Sequence, residues 1–341
     1  MKKIVFDVMN NDNGIYKAIK GAISFKLKNP NYKIALVGNK EIIESELAKS
    51  SNLIAEDAFE IIDSKNIIHL TSSPREALKT PSSMLDAFNY LDENDYDAIL
   101  SSGDSGAFTT LSMLKIKRLN NVERIAFMPI LPTLIGKHTL LLDAGANIET
   151  TAEYLNNWAI LANHYYKLIF NTKNNPSIGL LNIGSEEYKG SVLNKEAYKL
   201  LKENKDINFY GFIEPKDAIE GKIDIILADG QSGNVFLKTL ESSFLGFGKM
   251  LKDIIKTNFL TKLGGLLLKK RLKKMKDDFD YRNVGGAYII GLNKVVVKAH
   301  GGSDEIAFEN ALNQIKNILD KETFMDELKK ELSNINNDKI E

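Results

Sequence analysis

Residues 177–190 read SIGLLNIGSEEYKG. The run is apolar through Leu181, turns between Asn182 and Gly184, and ends in two glutamates, a lysine and a second glycine. A strand that is apolar at consecutive positions is buried on both faces, as in a parallel sheet covered by helices. Its polar, glycine-punctuated end marks a carboxyl edge, where open α/β sheets bind ligands. Asn182, Glu187, Lys189 and Gly190 therefore arrive together at a place that a core strand has no need to furnish.

The same pattern recurs in both directions. KIVFDV (3–8) precedes a helical stretch over about 14–28, and KIALVG (33–38) precedes another over 40–49. Further strands are expected at IIHL (67–70), AILSSG (98–103), IAFMPIL (125–131), TLLLDAG (139–145), INFYGFI (207–213), IDIILADG (223–230), AYIIGL (287–292) and VVVKAH (295–300). Strand–helix alternation over this length predicts a doubly wound α/β architecture. There is no fixed-period repeat, low-complexity tract or obvious linker. Residues 1–320 read as one α/β catalytic domain, and 321–341 as a polar C-terminal helix and tail with no assigned chemistry.

The 341 residues carry 45 basic and 45 acidic side chains, so no global charge draws the chain to nucleic acid. The absence of cysteine excludes disulfides, zinc–thiolate and iron–sulfur sites and a cysteine nucleophile, and fits a reducing cytoplasm. The start, MKKIVFDVMNND, has too short an apolar core for a signal peptide. No run approaches the roughly 18 apolar residues of a membrane span, so the reading is cytoplasmic or peripheral.

Five strand ends are built alike, namely SSGDSGA (101–107), DAGAN (143–147), NIGSEEYKG (182–190), DGQSGNVFLK (229–238) and AHGGS (299–303). Each sets glycine and small polar residues before a helix, where free N–H groups and a partial positive charge favour an anion. Tight βα turns account for any one of them; five together favour an anion site. A P-loop and a complete GxGxxG are absent, and GDSGA at 103–107 sits in an α/β pattern rather than an all-β protease. His69, His138 and His164 read as structural or surface residues, whereas His300 stands at a strand end beside Gly301 and Gly302.

Taken with SSM (82–84), LPT (131–133), EAYKLLKE (196–203), INFYGFIEPKD (207–217) and GGAYIIGLN (285–293), these motifs resemble the PlsX-type phosphate acyltransferases of bacterial phospholipid synthesis. The segments run in order from Asp7 to about Ile315, with departures at Asn10-Asn11, Thr80-Pro81 and Asp104-Ser105. The resemblance implies a Rossmann-like αβα sandwich of the isocitrate dehydrogenase and phosphotransacetylase type, usually homodimeric. It implies transfer of a fatty acyl group from acyl carrier protein to inorganic phosphate, with the acyl phosphate passed to a membrane glycerol-phosphate acyltransferase. No metal or organic cofactor is implied. Lys189 would hold the phosphate dianion, Asn182 or Asn234 would donate to phosphate or the developing oxyanion, and Glu187 would orient Lys189. His300 would protonate or stabilise the departing thiolate. Ser82, Ser83, Ser102, Gly103, Ser105 and Gly106 are further phosphate or substrate candidates, with Asn147, Gly184 and Gly190. Asp229, Gly230, Lys238, Gly301 and Ser303 complete them.

Residues 244–276, FLGFGKMLKDIIKTNFLTKLGGLLLKKRLKKMK, combine helical apolar spacing with a basic end. Gly264-Gly265 is expected to break the segment into two helices. Phe259, Leu260, Leu263, Leu266 and Leu267 suit an acyl boundary, and Lys269, Lys270 and Arg271 suit the anionic headgroups of a membrane surface. The alternatives are docking of the acidic carrier protein and packing within a dimer. For the whole chain, the competing readings are a phosphotransacetylase-like enzyme using a coenzyme A thioester and a catalytically weakened membrane-associated scaffold.

Overall fold

The computed structural model describes residues 1–55, 57–68, 73–279 and 284–334. The chain begins Lys3–Asp7 (β1), Ile15–Lys28 (α1), Lys33–Gly38 (β2), Lys40–Ala48 (α2) and Glu60–Asp63 (β3). After a 3₁₀ turn at Pro74–Leu78 come Ser83–Glu93 (α3), Ala98–Ser101 (β4), Ser105–Lys115 (α4), Ala126–Met128 (β5) and Ile130–Pro132 (β6). Next are His138–Leu142 (β7), Ala152–Ile169 (α5), Ser177–Leu181 (β8), Val192–Glu203 (α6), Asn208–Ile213 (β9), Pro215–Ile219 (α7) and Ile225–Leu227 (β10). The chain continues with Gly230–Lys256 (α8), Phe259–Asp278 (α9), Gly286–Ile290 (β11), Val295–Ala299 (β12), Glu305–Leu319 (α10) and Phe324–Asn334 (α11).

The strands form two sheets, with orders β3-β2-β1-β4-β12-β11-β5 and β6-β7-β10-β8-β9. Strands β3 through β12 of the first are parallel, as are β7, β10, β8 and β9 of the second; antiparallel strands complete one edge of each. Alternate residues explain why the runs are apolar throughout. Ile4 and Phe6 of β1 join a core shared with Leu140, Ile178, Trp158 and Phe308, so it spans both sheets and the helices between them. Val5 points the other way, into the cluster under α3 and α4. On the outer face of the second sheet, Leu141 and Ile226 pack with Phe236, Leu237 and Leu240 of α8.

Several boundaries differ from the sequence reading. The strand expected over 125–131 divides at Pro129: β5 pairs with β11 and β6 with β7, so the chain crosses from one sheet to the other where proline lacks an N–H. No strand forms at Ile67 and Ile68, and His69 and Leu70 lie outside the described residues. Instead β3, with only two apolar residues in EIID, pairs with β2. The C-terminal helix seats Phe324, Leu328 and Leu332 in the shared core, and residues 335–341 lie outside the described residues.

The helix break of the basic segment is at Thr257-Asn258 rather than at Gly264-Gly265. Asn258 starts α9: its Oδ1 accepts from Thr261 N, while Thr261 Oγ1 accepts from Asn258 N, a reciprocal cap. Gly265 lies inside α9, where a Cβ would come 2.4 Å from Ile255 Cγ2, so this glycine lets α9 approach α8.

At the other end of α8, Gly230 and Gly233 press against the loop after β7. A Cβ at Gly230 would lie 2.0 Å from Asn147 O, and one at Gly233 2.0 Å from Asp143 O. Gly233→Ala should therefore lower stability in urea unfolding by about 1–3 kcal/mol. Gly248→Ala, on the same helix with open space around the new methyl, should leave stability unchanged or raise it by up to about 1 kcal/mol. Equal effects of the two substitutions would contradict the close approach.

Candidate active site

The sequence-derived candidates fall into two groups, one at the carboxyl edge of each sheet. On the five-stranded sheet the loop after β8 is folded by Asn182, whose Nδ2 donates to Gly184 O (3.0 Å) and Lys189 O (3.2 Å). Asn194 Nδ2, near the start of α6, donates to Asn182 Oδ1 (3.1 Å) and Leu181 O (3.2 Å). The Asn182 side chain is thus a loop clamp. Gly190 has φ 98° and lies so close to the clamp that a Cβ would meet Asn182 Oδ1 at 2.3 Å, so glycine is required twice over.

The loop presents Lys189 at its surface. Its ammonium pairs with Glu186 Oε1 at 2.8 Å, a bond that raises the lysine pKa and keeps it cationic at neutral pH. Glu187, expected to orient Lys189, turns away instead. Its Oε1 accepts from Tyr198 OH (2.6 Å) and Lys202 Nζ (3.0 Å) on α6. The cause is the turn itself: Lys189 N–H donates to Glu186 O, which brings the i and i+3 side chains together. The Lys189–Glu186 pair is exposed to water, so it is weak.

The neighbouring loop and helix complete this group. Asp143 is fully buried and accepts from Phe127 N, Gly145 N, Ala146 N, Asn147 N and Asn147 Nδ2. Asp229 Oδ1 caps α8 through Gln231 N and Ser232 N. Asn234 lies beside Gly145, where a Cβ would come 3.2 Å from Asn234 Cγ, and Lys238 lies one turn further along α8.

On the seven-stranded sheet, Ser82 Oγ caps α3 at Leu85 N and Ser83 Oγ accepts from Asn10 Nδ2 at 3.2 Å. Ser102 Oγ donates to Asn10 O, and Gly103 N donates to Ser101 Oγ. Ser105 and Gly106 open α4, which Asp104 caps through Ala107 N. Gly301 O accepts from Asp12 N, and Ser303 O from Asn11 Nδ2. His300 is exposed, and its Nδ1 accepts from Gly302 N, which leaves the proton of the neutral ring on Nε2. His138 opens β7 and His164 lies in α5.

Sequence reasoning passed over Asp7, Ser101 and Lys298. Asp7 accepts from Met9 N, Asn10 Nδ2 and Ser101 Oγ; burial pushes its pKa up, and these donors oppose the rise. Lys298 is 6% exposed, and burial pulls its pKa down to about 8 against the attraction of Asp104, Asp7 and Asp12. Its signal was visible: the single charge in an otherwise apolar strand, VVVKA.

The architecture is shared with solved phosphotransacetylases. A phosphotransacetylase from Streptococcus pyogenes superposes with a TM-score of 0.61 at 17% identity, over 93% of this chain and 94% of that one. A branched-chain phosphotransacylase from Enterococcus faecalis V583 gives 0.53 at 14% identity, over 94% and 100%. The model of a family described as "Fatty acid synthesis protein" matches residues 2–325. A phosphate acyltransferase of Mycoplasmopsis agalactiae is 42% identical over 333 residues, 98% of each chain. One from Clostridium botulinum is 40% identical over 337 residues, 98% of this chain and 100% of that one. The chain belongs to this fatty acid synthesis family, and it is an enzyme of the phosphate acyltransferase class.

Lys298 gives the folded protein a pH signature. Its pKa is about 8 when folded, against 10.5 for an ordinary lysine. Between those values the unfolded chain binds more protons, so stability rises with pH, and the cost of the buried charge is in full force below about 8. Wild-type stability relative to Lys298→Met should rise by about 2 kcal/mol from pH 7 to pH 10 in urea unfolding. A pH-independent difference would contradict the burial of a charged group.

Proposed function

We propose that the enzyme transfers a fatty acyl group from the thioester of acyl carrier protein to inorganic phosphate, yielding acyl phosphate for membrane phospholipid synthesis. The observation that carries this reading is Lys189, held by the Asn182 clamp at a strand's carboxyl end and paired with an exchangeable glutamate. Phosphate is already substantially dianionic at neutral pH, so positioning and charge neutralisation matter more than a strong base. A phosphate oxygen held by Lys189 attacks the thioester carbonyl, with Asn234 donating to the developing oxyanion. The C–O bond forms and the C–S bond breaks; the thiolate leaves with a hydrogen bond from His300 Nε2–H and takes its proton from water. Asn182 positions the loop rather than touching phosphate.

A second reading is favoured by the fold shared with phosphotransacetylases: the same transfer from a coenzyme A thioester. Acyl phosphate trapped with hydroxylamine as the hydroxamate separates the two. Transfer from the carrier predicts a phosphate-dependent signal, larger with the carrier thioester than with the coenzyme A thioester, and a fall of at least about 100-fold in Lys189→Ala. Wild-type turnover in that variant would contradict the assigned site.

The α8–α9 hairpin supports action at the cytoplasmic face of the plasma membrane, where a membrane glycerol-phosphate acyltransferase would take the product. Phe259, Leu260, Leu263, Leu266 and Leu267 are exposed, and Lys269, Lys270 and Arg271 follow on the same helix. Among the described residues, no helix is long and apolar enough to cross a membrane. Basic residues near an anionic surface contribute about 1 kcal/mol each. The protein is expected to form a homodimer and to receive an acidic carrier protein. With Lys269, Lys270 and Arg271 changed to Glu, flotation with vesicles of anionic phospholipid should be lost; undiminished flotation would sink the membrane role.

A further inference from the structure

Lys298 stands opposite Ser101 of β4, and Ser101 stands opposite Asp7 of β1. Two residues earlier on the same strands, Val296, Ile99 and Val5 all face the cluster under α3 and α4. Asp7, Ser101 and Lys298 therefore form a level polar row on that face, at the carboxyl end of three adjacent parallel strands. Ser101 Oγ donates to Asp7 Oδ2 at 2.7 Å. Lys298 Nζ donates to Ala299 O at 2.7 Å and makes no ion pair with a described residue. An ammonium has three donors, and a buried one carries a large desolvation cost unless opposed by negative charge. In the loop beyond β12, Ser303 is also buried, and its Oγ has no hydrogen-bond partner among the described residues.

The charges around this lysine are lopsided. Asp104 approaches from the start of α4, Asp7 from β1 and Asp12 from the loop after it. The paired position on β11 is the uncharged Ala287. From α10 come its cap Asp304 and its first residue Glu305, the latter paired with Lys17. Exposed His300 follows two residues on. Three carboxylates thus bear on one buried cation at an edge lined with glycines and hydroxyls.

Resting on the phosphate-transfer reading above, we propose that Lys298 is a positioning residue that offsets Asp7, Asp12 and Asp104 so that this edge admits an anionic substrate. Without its charge, phosphate passing this edge toward Lys189 meets buried Asp7 and the solvent-exposed Asp12 and Asp104 with no opposing cation. Lys298→Met keeps much of the side-chain volume and removes the ammonium.

The test is the hydroxamate assay on wild type and Lys298→Met, across phosphate concentration and across pH 6.5 to pH 9. The variant should raise KM for phosphate about tenfold or more while kcat stays within about threefold. In wild type, kcat/KM for phosphate should fall as pH rises through about 8; the variant should lack that limb. Asp104→Asn, which keeps a good helix cap, should recover part of the lost phosphate affinity in the Lys298→Met background. A fall in kcat with KM unchanged, or persistence of the pH limb in the variant, would overturn the proposal. If wild type makes no acyl phosphate, the phosphate-transfer reading fails on its own. Calorimetric titration of the folded proteins with inorganic phosphate then decides the role of Lys298: weaker binding by the variant supports it, and equal binding overturns it.

Discussion

One buried carboxylate ties the molecule together. Asp143 directly follows strand β7 of the five-stranded sheet and accepts from Phe127 N, in β5 at the edge of the seven-stranded sheet. The same carboxylate also accepts from Gly145 N, Ala146 N, Asn147 N and Asn147 Nδ2. Asn147 Nδ2 also reaches Ile125 O. Burial raises the pKa of this acid and the converging N–H groups lower it, so the site depends on keeping every donor in place. Bonds to an ionised carboxylate are about twice as strong as neutral ones. Losing part of the set leaves a buried charge short of partners, a far larger penalty than losing a surface contact.

The same loop sets where the chemistry can sit. Because α8 lies on it through Gly230 and Gly233, the helix start, Asn234 and the loop after β7 form one rigid unit. The loop after β8 is clamped separately by Asn182 and Asn194, which leaves Lys189 as its exposed cation. Rigid backbone with one accessible cation is what a reaction governed by positioning requires. The far end of α8 carries a different burden: exposed Leu245, Phe247, Met250 and Ile254 run out to the basic helix α9, away from the core.

The parallel strands and the five loops at their carboxyl ends were legible because burial on both faces writes continuous apolar runs, and tight turns from strand to helix use glycine. Less legible was whatever depends on pairing across the chain. β3 has too few apolar residues to announce itself, and Pro129 hides a change of sheet inside what reads as one strand. The division into two sheets follows from that crossover. The choice of Glu186 over Glu187 depends on the i to i+3 geometry of one turn, and the helix break at Asn258 depends on a side-chain cap stronger as a signal than two glycines. Lys298 was visible as an anomaly in an apolar strand, but its three acidic neighbours come from separate segments that only the fold assembles.

One carboxylate couples the two sheets and the start of α8. Asp143→Asn tests it most directly, since the new amide turns N–H donors against N–H donors at almost unchanged volume. Amide hydrogen exchange should show protection lost together at residues 126–128, at 143–147 and at the start of α8. A loss confined to residues 143–147, with β5 and α8 as protected as in wild type, would contradict the account.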